Sequence, residues 1–427
     1  MGIMYEGEFM GVVKPEEVTI EEIGMMMGGA SGMKSSGSEI LRKLNVKAFI
    51  ESLIAIFVGF IIGAIVMYAF GYDAIKAYEG LFTGGALGSI DGIAATLDYS
   101  TPIMLTALTF AIGTRTGIFN IGAESSFYFG GAIAAVIFTN LWDNMWFGLI
   151  MGMVLGALWA LPAAVLKVYR GVHEVISTIM LNWIGWYFVL YLIVGPPYAN
   201  PQDPNKTIRI PEAARLPLIG DTTLSWGFII AVIAAIFTYF LLWHTGLGFG
   251  MRVSGQNPRA AEYGGINPKM AVMWSFIIGG IMSGLGGGAI KIMGGYPGYA
   301  ISQGGANIYG LGFDGIGVSL VGRNHPLGII LSAIFFGMLR AGTSTMQATA
   351  QVPPLEIVRV IQGIIVITVA VPGLLDLIKK ASGGGDHNER GGHIWSSHPV
   401  PYGDGSHSSH KRRRGLERAG RSGQHRL

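Results

Sequence analysis

The sequence predicts an all-α fold: a polytopic transmembrane helical bundle of about ten membrane segments, some of them broken or re-entrant, with N- and C-termini cytoplasmic. Three observations predict it. Of 427 residues, 51% are hydrophobic and only 13% charged, and the mean hydropathy is +0.49; a soluble domain carries about 25% charged residues. Apolar runs such as "FIESLIAIFVGFIIGAIVMYAF" (Phe49–Phe70) and "WGFIIAVIAAIFTYFLLW" (Trp226–Trp243) recur along the chain, and a run of about 20 crosses a hydrocarbon core. Glycines spaced by four (Gly59 and Gly63; Gly148, Gly152 and Gly156; Gly280, Gly284 and Gly288) lie on single helix faces and let backbones approach closely.

The segments fall near 49–70, 101–114, 126–140, 147–166, 174–194, 226–243, 270–290, 313–321, 327–342 and 355–372. The eighth is too short to span alone and joins the irregular stretch before it. Orientation follows from short-loop Lys and Arg, which stay cytoplasmic. Arg42, Lys43 and Lys47 precede the first span, Lys167 and Arg170 follow the fourth, and Arg252, Arg259 and Lys269 follow the sixth. Arg323 follows the eighth, and Lys379 and Lys380 follow the tenth. With ten segments all of these lie on one side. Lys206, Arg209 and Arg215 lie on the other, in a long proline-rich loop where the rule weakens.

Three regions result. Residues 1–46 are a glycine- and methionine-rich cytoplasmic extension with an acidic stretch, "PEEVTIEEIG", and no basic n-region of a signal peptide. Residues 47–380 hold the membrane domain. Residues 381–427 read as a disordered, basic, His-rich cytoplasmic tail with six of the nine histidines. From 383 on it carries eight Lys/Arg against four Asp/Glu, so the basic balance belongs to the tail and does not point to nucleic acid. The absence of cysteine excludes disulfides and Cys-based metal sites, and the tail histidines lack a metal-ligand spacing.

Chemistry concentrates where apolar runs break. "GTRTGIFNIGAESS" (Gly113–Ser126) sets Arg115, Asn120 and Glu124 among glycines. Irregular backbone survives at membrane depth only inside protein or beside a water-filled cavity. Asn120 suits the satisfying of freed backbone groups. Glu124 needs a partner or water, and Arg115 is either that partner or a phosphate-level anchor. The stretch reads as a broken helix lining a path, or as a plain cytoplasmic hairpin. A second irregular stretch, "MGGYPGYAISQGGANIYGLGFDGIG" (Met293–Gly317), carries Tyr296, Tyr299, Gln303, Asn307, Tyr309 and Asp314. Interrupted segments in both halves point to a substrate site, and aromatics with amides suit a neutral polar ring compound. Third, "NPRAAEYGG" reads as a short helix, with Asn257 as N-cap, Pro258 at its first position, and Gly264 and Gly265 at its end. It serves either as a docking piece or as a connector.

No GxxxxGK[ST] phosphate loop and no HExxH occurs. The chain is therefore expected to have no ATPase site of its own, no catalytic residues, no metal site and no cofactor, and the sequence gives little support for an enzyme.

Four blocks resemble one family. "TPIMLTALTFAIGTRTGIFNIGAE" (Thr101–Glu124), "HEVISTIMLNWIG" (His173–Gly185), "NPRAAEYGGIN" (Asn257–Asn267) and "GRNHPLG" (Gly322–Gly328) resemble permease subunits of ABC importers of the branched-chain amino acid, ribose and nucleoside group. The likeness runs from about Lys47 to Lys380 and is nearest to the nucleoside and simple-sugar branch. It implies a cell-membrane permease moving a nucleoside or simple sugar by alternating access. It also implies a second permease subunit (homo- or heterodimer), ABC ATPase subunits that bind the ATP, and an extracytoplasmic solute-binding protein. On that likeness Asn257, Pro258, Arg259, Ala260, Ala261, Glu262 and Gly264 form the ATPase-coupling loop. Asn120, Glu124 and Asn182 lie along or beside the pore, and Tyr296, Gln303 and Asn307 complete the expected substrate pathway. Ser125 and Ser126 depart from the family's Gly-Gln. The alternatives are a branched-chain amino acid permease of the same kind and a self-sufficient secondary transporter, which needs ionisable residues within its spans.

Overall fold

The computed structural model describes residues 2–5, 8–12, 46–194, 197–203, 205–294, 299–302 and 308–370. The chain divides into two units, Met1–Leu375 and Asp376–Leu427, and the second lies wholly outside the described residues, as does most of the N-terminal extension. Within that extension an antiparallel hairpin pairs β1 (Gly2–Tyr5) with β2 (Glu8–Val12), a local exception to the all-α expectation.

From residue 46 on, the described chain is built of helices. In order they are α1 (Val46–Ala69), α2 (Ala74–Gly84), α3 (Ile90–Arg115), α4 (Ala123–Ser126), α5 (Thr139–Leu141), α6 (Met145–Arg170) and α7 (Glu174–Val194). There follow α8 (Gly227–His244), α9 (Gly246–Gln256), α10 (Pro258–Tyr263), α11 (Pro268–Gly284), α12 (Lys291–Met293), α13 (Leu311–Val321), α14 (Pro326–Ala341), α15 (Thr343–Ala350) and α16 (Pro354–Ala370). Two π-helical pieces, Phe127–Ala132 and Ala134–Phe138, join α4 to α5, and a third, Leu285–Ile290, joins α11 to α12.

Among the described residues, six helical stretches are long and apolar enough to cross a membrane: Ser52–Ala69, Met145–Arg170, Glu174–Ile193, Gly227–His244, Pro268–Met293 and Pro326–Ala350. The expected segment 101–114 is the second half of α3, which is 26 residues long and begins at Ile90. The stretch 71–89, between the first two expected segments, contains α2, capped by Asp73, whose carboxylate accepts from the Ile75 and Lys76 N–H groups at 3.1 Å. Those bonds hold the Asp73 carboxyl below its ordinary range.

Helix α3 is the axis of the fold. From Ser100 to Gly113 every residue is buried, and α8, α11, α13 and α14 pack on it. A helix enclosed on all sides needs no polar face, which is why its sequence shows no amphipathic stripe. The peripheral α1 instead turns Phe57, Ile61 and Ile65 outward, each at least 58% exposed, at the four-residue spacing of one face. Helices α6 and α11 cross backbone on backbone. A Cβ on Gly156 would strike the Gly280 carbonyl oxygen, and one on Gly280 would reach within 2.9 Å of the Ala157 Cα. The four-residue glycine spacing thus brings two backbones into direct contact.

Candidate functional site

The first break follows α3. Its last turn ends on the Thr116 and Ile118 N–H groups, which donate to Gly113 O at 2.9 and 3.0 Å, and Gly117 takes φ +78°. The chain then runs without helix to α4. Its freed backbone groups are collected by one face of α7. Asn182 Nδ2 donates to Ile121 O at 3.1 Å, and its Oδ1 accepts from Ser125 N–H at 3.0 Å. Glu174 Oε1 accepts from Phe119 N–H at 3.4 Å, while its Oε2 pairs with Lys167 Nζ at 2.7 Å. Thr178 packs against Gly122 between them. Glu174, Thr178 and Asn182 follow each other at intervals of four, one polar stripe on an apolar span. Asn120 Oδ1 accepts from Gly122 N–H at 2.9 Å, closing a local turn.

Glu124 is 1% exposed. Its Oε1 accepts from Gly310 N–H at 2.7 Å and its Oε2 from Phe313 N–H at 3.0 Å. The carboxylate therefore caps the N-terminus of α13, where unpaired N–H groups and the helix dipole favour an anion. Gly310 takes φ +83° and also donates to the Tyr128 hydroxyl at 3.2 Å. Arg115 is not the partner of Glu124. Its Nε donates to Asn324 O at 3.0 Å and its Nη2 to Arg323 O at 3.1 Å. It thereby holds a turn in which both Arg323 and Asn324 take positive φ, 55° and 51°. Its guanidinium lies 5.4 Å from the centroid of Trp243, a ring that Arg252 approaches to 5.6 Å.

The predicted residues thus separate. Asn120, Glu124 and Asn182 come together at the break as backbone partners. Asn120 lines a small cavity there with Ser125, Ser126, Trp159, Thr178 and Phe276. Tyr296, Gln303 and Asn307 lie outside the described residues.

The short helix α10 forms as expected. Asn257 Oδ1 accepts from Ala260 N–H at 3.1 Å, Pro258 opens the helix, and Gly264 closes it with its N–H on Ala260 O at 3.0 Å. Ala261 alone is buried, while Arg259, Glu262 and Tyr263 are exposed, Tyr263 to 95%. Just before the cap, Gly255 lies against the break: a Cβ there would come within 2.8 Å of Gly117 N and Thr116 C. The loop and the broken segment share a backbone contact.

Two further pairs of ionisable groups lie in the spans. Lys291 Nζ lies 2.6 Å from Asp98 Oδ2, both nearly fully buried, and 4.4 Å from the centroid of Tyr99. Arg340 donates to Asp314 Oδ2 at 2.8 and 3.1 Å. Asp98 lies before the expected start at 101 and Glu174 within the block His173–Gly185, and neither is marked out by itself in the sequence; Lys167 is legible there only as a charge that orients the chain. The polar stripe at intervals of four on α7 was the signal for Glu174.

Comparison with known proteins decides the family. The model of the branched-chain amino acid transport system / permease component family matches residues 92–370. The chain belongs to this family. The permease is 36% identical over 346 residues to a nucleoside ABC transporter permease protein of Lactococcus lactis, covering 76% of its own length and 92% of the relative's. It is 34% identical over 329 residues to a guanosine ABC transporter permease protein of Bacillus subtilis, covering 74% and 92%. A glucose ABC transporter permease protein of Haloferax volcanii is 27% identical over 324 residues, covering 72% and 83%. No solved structure matches. The permease is a multi-pass protein of the cell membrane and a transport subunit of an ABC importer.

Proposed function

We propose that this permease moves nucleosides inward by alternating access, driven by ATPase subunits that dock on α10. The observation that carries the substrate is the order of identity: relatives named for nucleoside and guanosine stand at 36% and 34%, the one named for glucose at 27%. A simple sugar is the second reading. A branched-chain amino acid has no support beyond the family's name. The paired state of Asp98 with Lys291 and of Asp314 with Arg340 speaks against a self-sufficient secondary transporter, which needs groups free to carry ions.

In this reading the domain runs from 47 to 380 and holds ten membrane segments with cytoplasmic termini. Helix α3, the stretch from Ala123 to Leu141, α13 and α16 supply the four beyond the long apolar six. A second permease completes the pore, and a solute-binding protein delivers the nucleoside from outside. The permease holds no cofactor, and ATP stays on the partner subunits. Asn120, Glu124 and Asn182 shape the first break, while Tyr296, Gln303 and Asn307 belong to the pathway of the second. Asn257 to Gly264 form the coupling piece, with Arg259 and Glu262 at the ATPase contact.

The test is uptake by the complete importer in proteoliposomes with ATP on the ATPase side. Labelled guanosine or uridine is taken up, and excess glucose does not compete. Arg259→Glu abolishes uptake while the protein stays inserted, because it sets a like charge against an acidic docking cleft. Uptake that glucose blocks and nucleosides do not would transfer the proposal to sugars.

A further inference from the structure

Arg359 is a guanidinium that the fold leaves unpaired. It is exposed on α16, and among the described residues no carboxylate lies in ion-pair reach and no hydrogen bond is made to it. Its Nη2 sits 3.4 Å from the position a Cβ would take on Gly310, beside Arg340, whose own charge is taken by Asp314. This place is deep. Helix α13 has 11 residues from Leu311 to Val321, about 16 Å at 1.5 Å per residue, and ends at the turn held by Arg115 beside Trp243, an aromatic of the interfacial kind. Gly310 therefore lies about half-way through a core of about 30 Å. Thr106 Oγ1, which donates to Leu311 O at 3.1 Å, gives the same depth, nine residues or about 14 Å along α3 from Arg115. A lone guanidinium at that level does not face lipid; it faces water or a polar ligand.

Next to it stands an open aromatic wall. Tyr309 is 39% exposed, and its ring meets Trp186 edge to face at 5.2 Å. Trp186 in turn rests on buried Tyr128 at 4.6 Å, within a π-helical turn, a geometry frequent at functional sites. The Tyr128 hydroxyl and the Glu124 carboxylate both hold Gly310 N–H. One backbone clamp thus fixes Tyr309 relative to Arg359.

Resting on the reading as a nucleoside importer, we propose that Tyr309 and Arg359 form a base-binding subsite at mid-membrane. The Tyr309 ring, backed by Trp186, takes the face of a 6-oxopurine, and the Arg359 fork donates to its O6 and N7 edge. Any base offers a π-face to an aromatic ring, whereas paired acceptors matching a guanidinium fork are a feature of that purine edge. A pyrimidine nucleoside engages the ring and not the fork. The Arg359 fork therefore sets a purine preference, while the Tyr309 ring serves every nucleoside.

The complete importer in proteoliposomes tests this, with labelled guanosine and labelled uridine in parallel. Arg359→Gln and Arg359→Lys lower guanosine uptake at least tenfold and uridine uptake less than threefold, and Tyr309→Ala lowers both at least tenfold. Tyr309→Phe, which keeps the ring, retains more than half of each. Co-purification of the ATPase subunits and the second permease in wild-type amounts shows that the variants assemble. An unchanged guanosine-to-uridine ratio in both Arg359 variants overturns the subsite. If loss of both uptakes comes with loss of the second permease, Arg359 is a subunit contact and the subsite is likewise overturned. Wild-type importer that takes up neither nucleoside removes the nucleoside reading itself, and the subsite with it.

Discussion

The Glu124 carboxylate accepts the Gly310 N–H at 2.7 Å, across 186 residues of chain. One bond joins the two interrupted regions. A buried carboxylate in a span reads from sequence as part of a path. Here it is the anion that completes a helix N-terminus begun by a glycine at φ +83°. The charge is stabilised by N–H groups fixed in the fold, so it serves first to set how the second break sits on the first.

That role predicts an order of variants. Glu124→Ala leaves the Phe313 donor without an acceptor and the Gly310 donor with the Tyr128 hydroxyl alone, and costs on the order of 1–3 kcal/mol, the cost of one buried unpaired donor. Glu124→Gln keeps one acceptor oxygen, so it loses less stability and retains measurable uptake. Thermal unfolding in detergent and uptake by the importer measure both. If Glu124→Gln unfolds normally yet transports nothing, the carboxylate is a working group of the path.

How much of this was legible follows from which interactions are local. The cap of α10 is written within eight residues, Asn257 to Gly264, and formed as read. The glycine spacing marked α6 and α11 as helices that pack closely, because it repeats along each, but not that they pack on one another. The partners of Glu124 and Arg115 were not legible, since each bonds to backbone about 190 to 210 residues away, and a carbonyl or N–H leaves no mark in a sequence. Arg115 and Glu124 have opposite charges nine residues apart, which suggested a pair; the fold turns them to different turns of the second half. Asp98 was hidden because α3, buried all round, has no clear apolar start.

The Asp98–Lys291 pair predicts a non-additive response. Removing one partner strands a buried charge, so Asp98→Leu or Lys291→Met alone is expected to cost about 3–5 kcal/mol. The double variant Asp98→Leu with Lys291→Met removes both charges and recovers most of that loss. Yield and thermal unfolding of the four proteins form the cycle. A double variant no better than the worse single one would mean that the ammonium is held mainly by Tyr99 and its other surroundings.

His325 predicts a pH response at the turn that Arg115 holds. Its ring lies 4.8 Å from Trp243 and 5.5 Å from Tyr239. Burial, and then the Arg115 charge, push its pKa below the ordinary 6.5. The unfolded chain thus takes up the proton first, and folded-state stability falls as pH drops through 6.5 toward the lowered value. Thermal unfolding between pH 7.5 and 5.5 should show a loss that His325→Gln removes, once the slope common to both proteins is subtracted. Parallel curves for the two would show that another group sets the acid response.

Gly255 and Gly117 predict where coupling can be cut. The contact between them joins the helix that carries α10 to the first break, so motion imposed on α10 has a backbone route into the membrane. Gly255→Ala pushes a methyl to within 2.8 Å of Gly117 N, and with no side chain to yield the backbones must part. Gly246 is the control in the same helix, because a Cβ there meets nothing within 4 Å. Gly246→Ala is expected to be neutral or to stabilise by up to about 1 kcal/mol through helix propensity. Gly255→Ala is expected to assemble, hydrolyse ATP and lose at least tenfold of its uptake. The measurement is the ratio of solute imported to ATP hydrolysed in proteoliposomes. If the two variants give the same ratio, coupling does not pass through this contact.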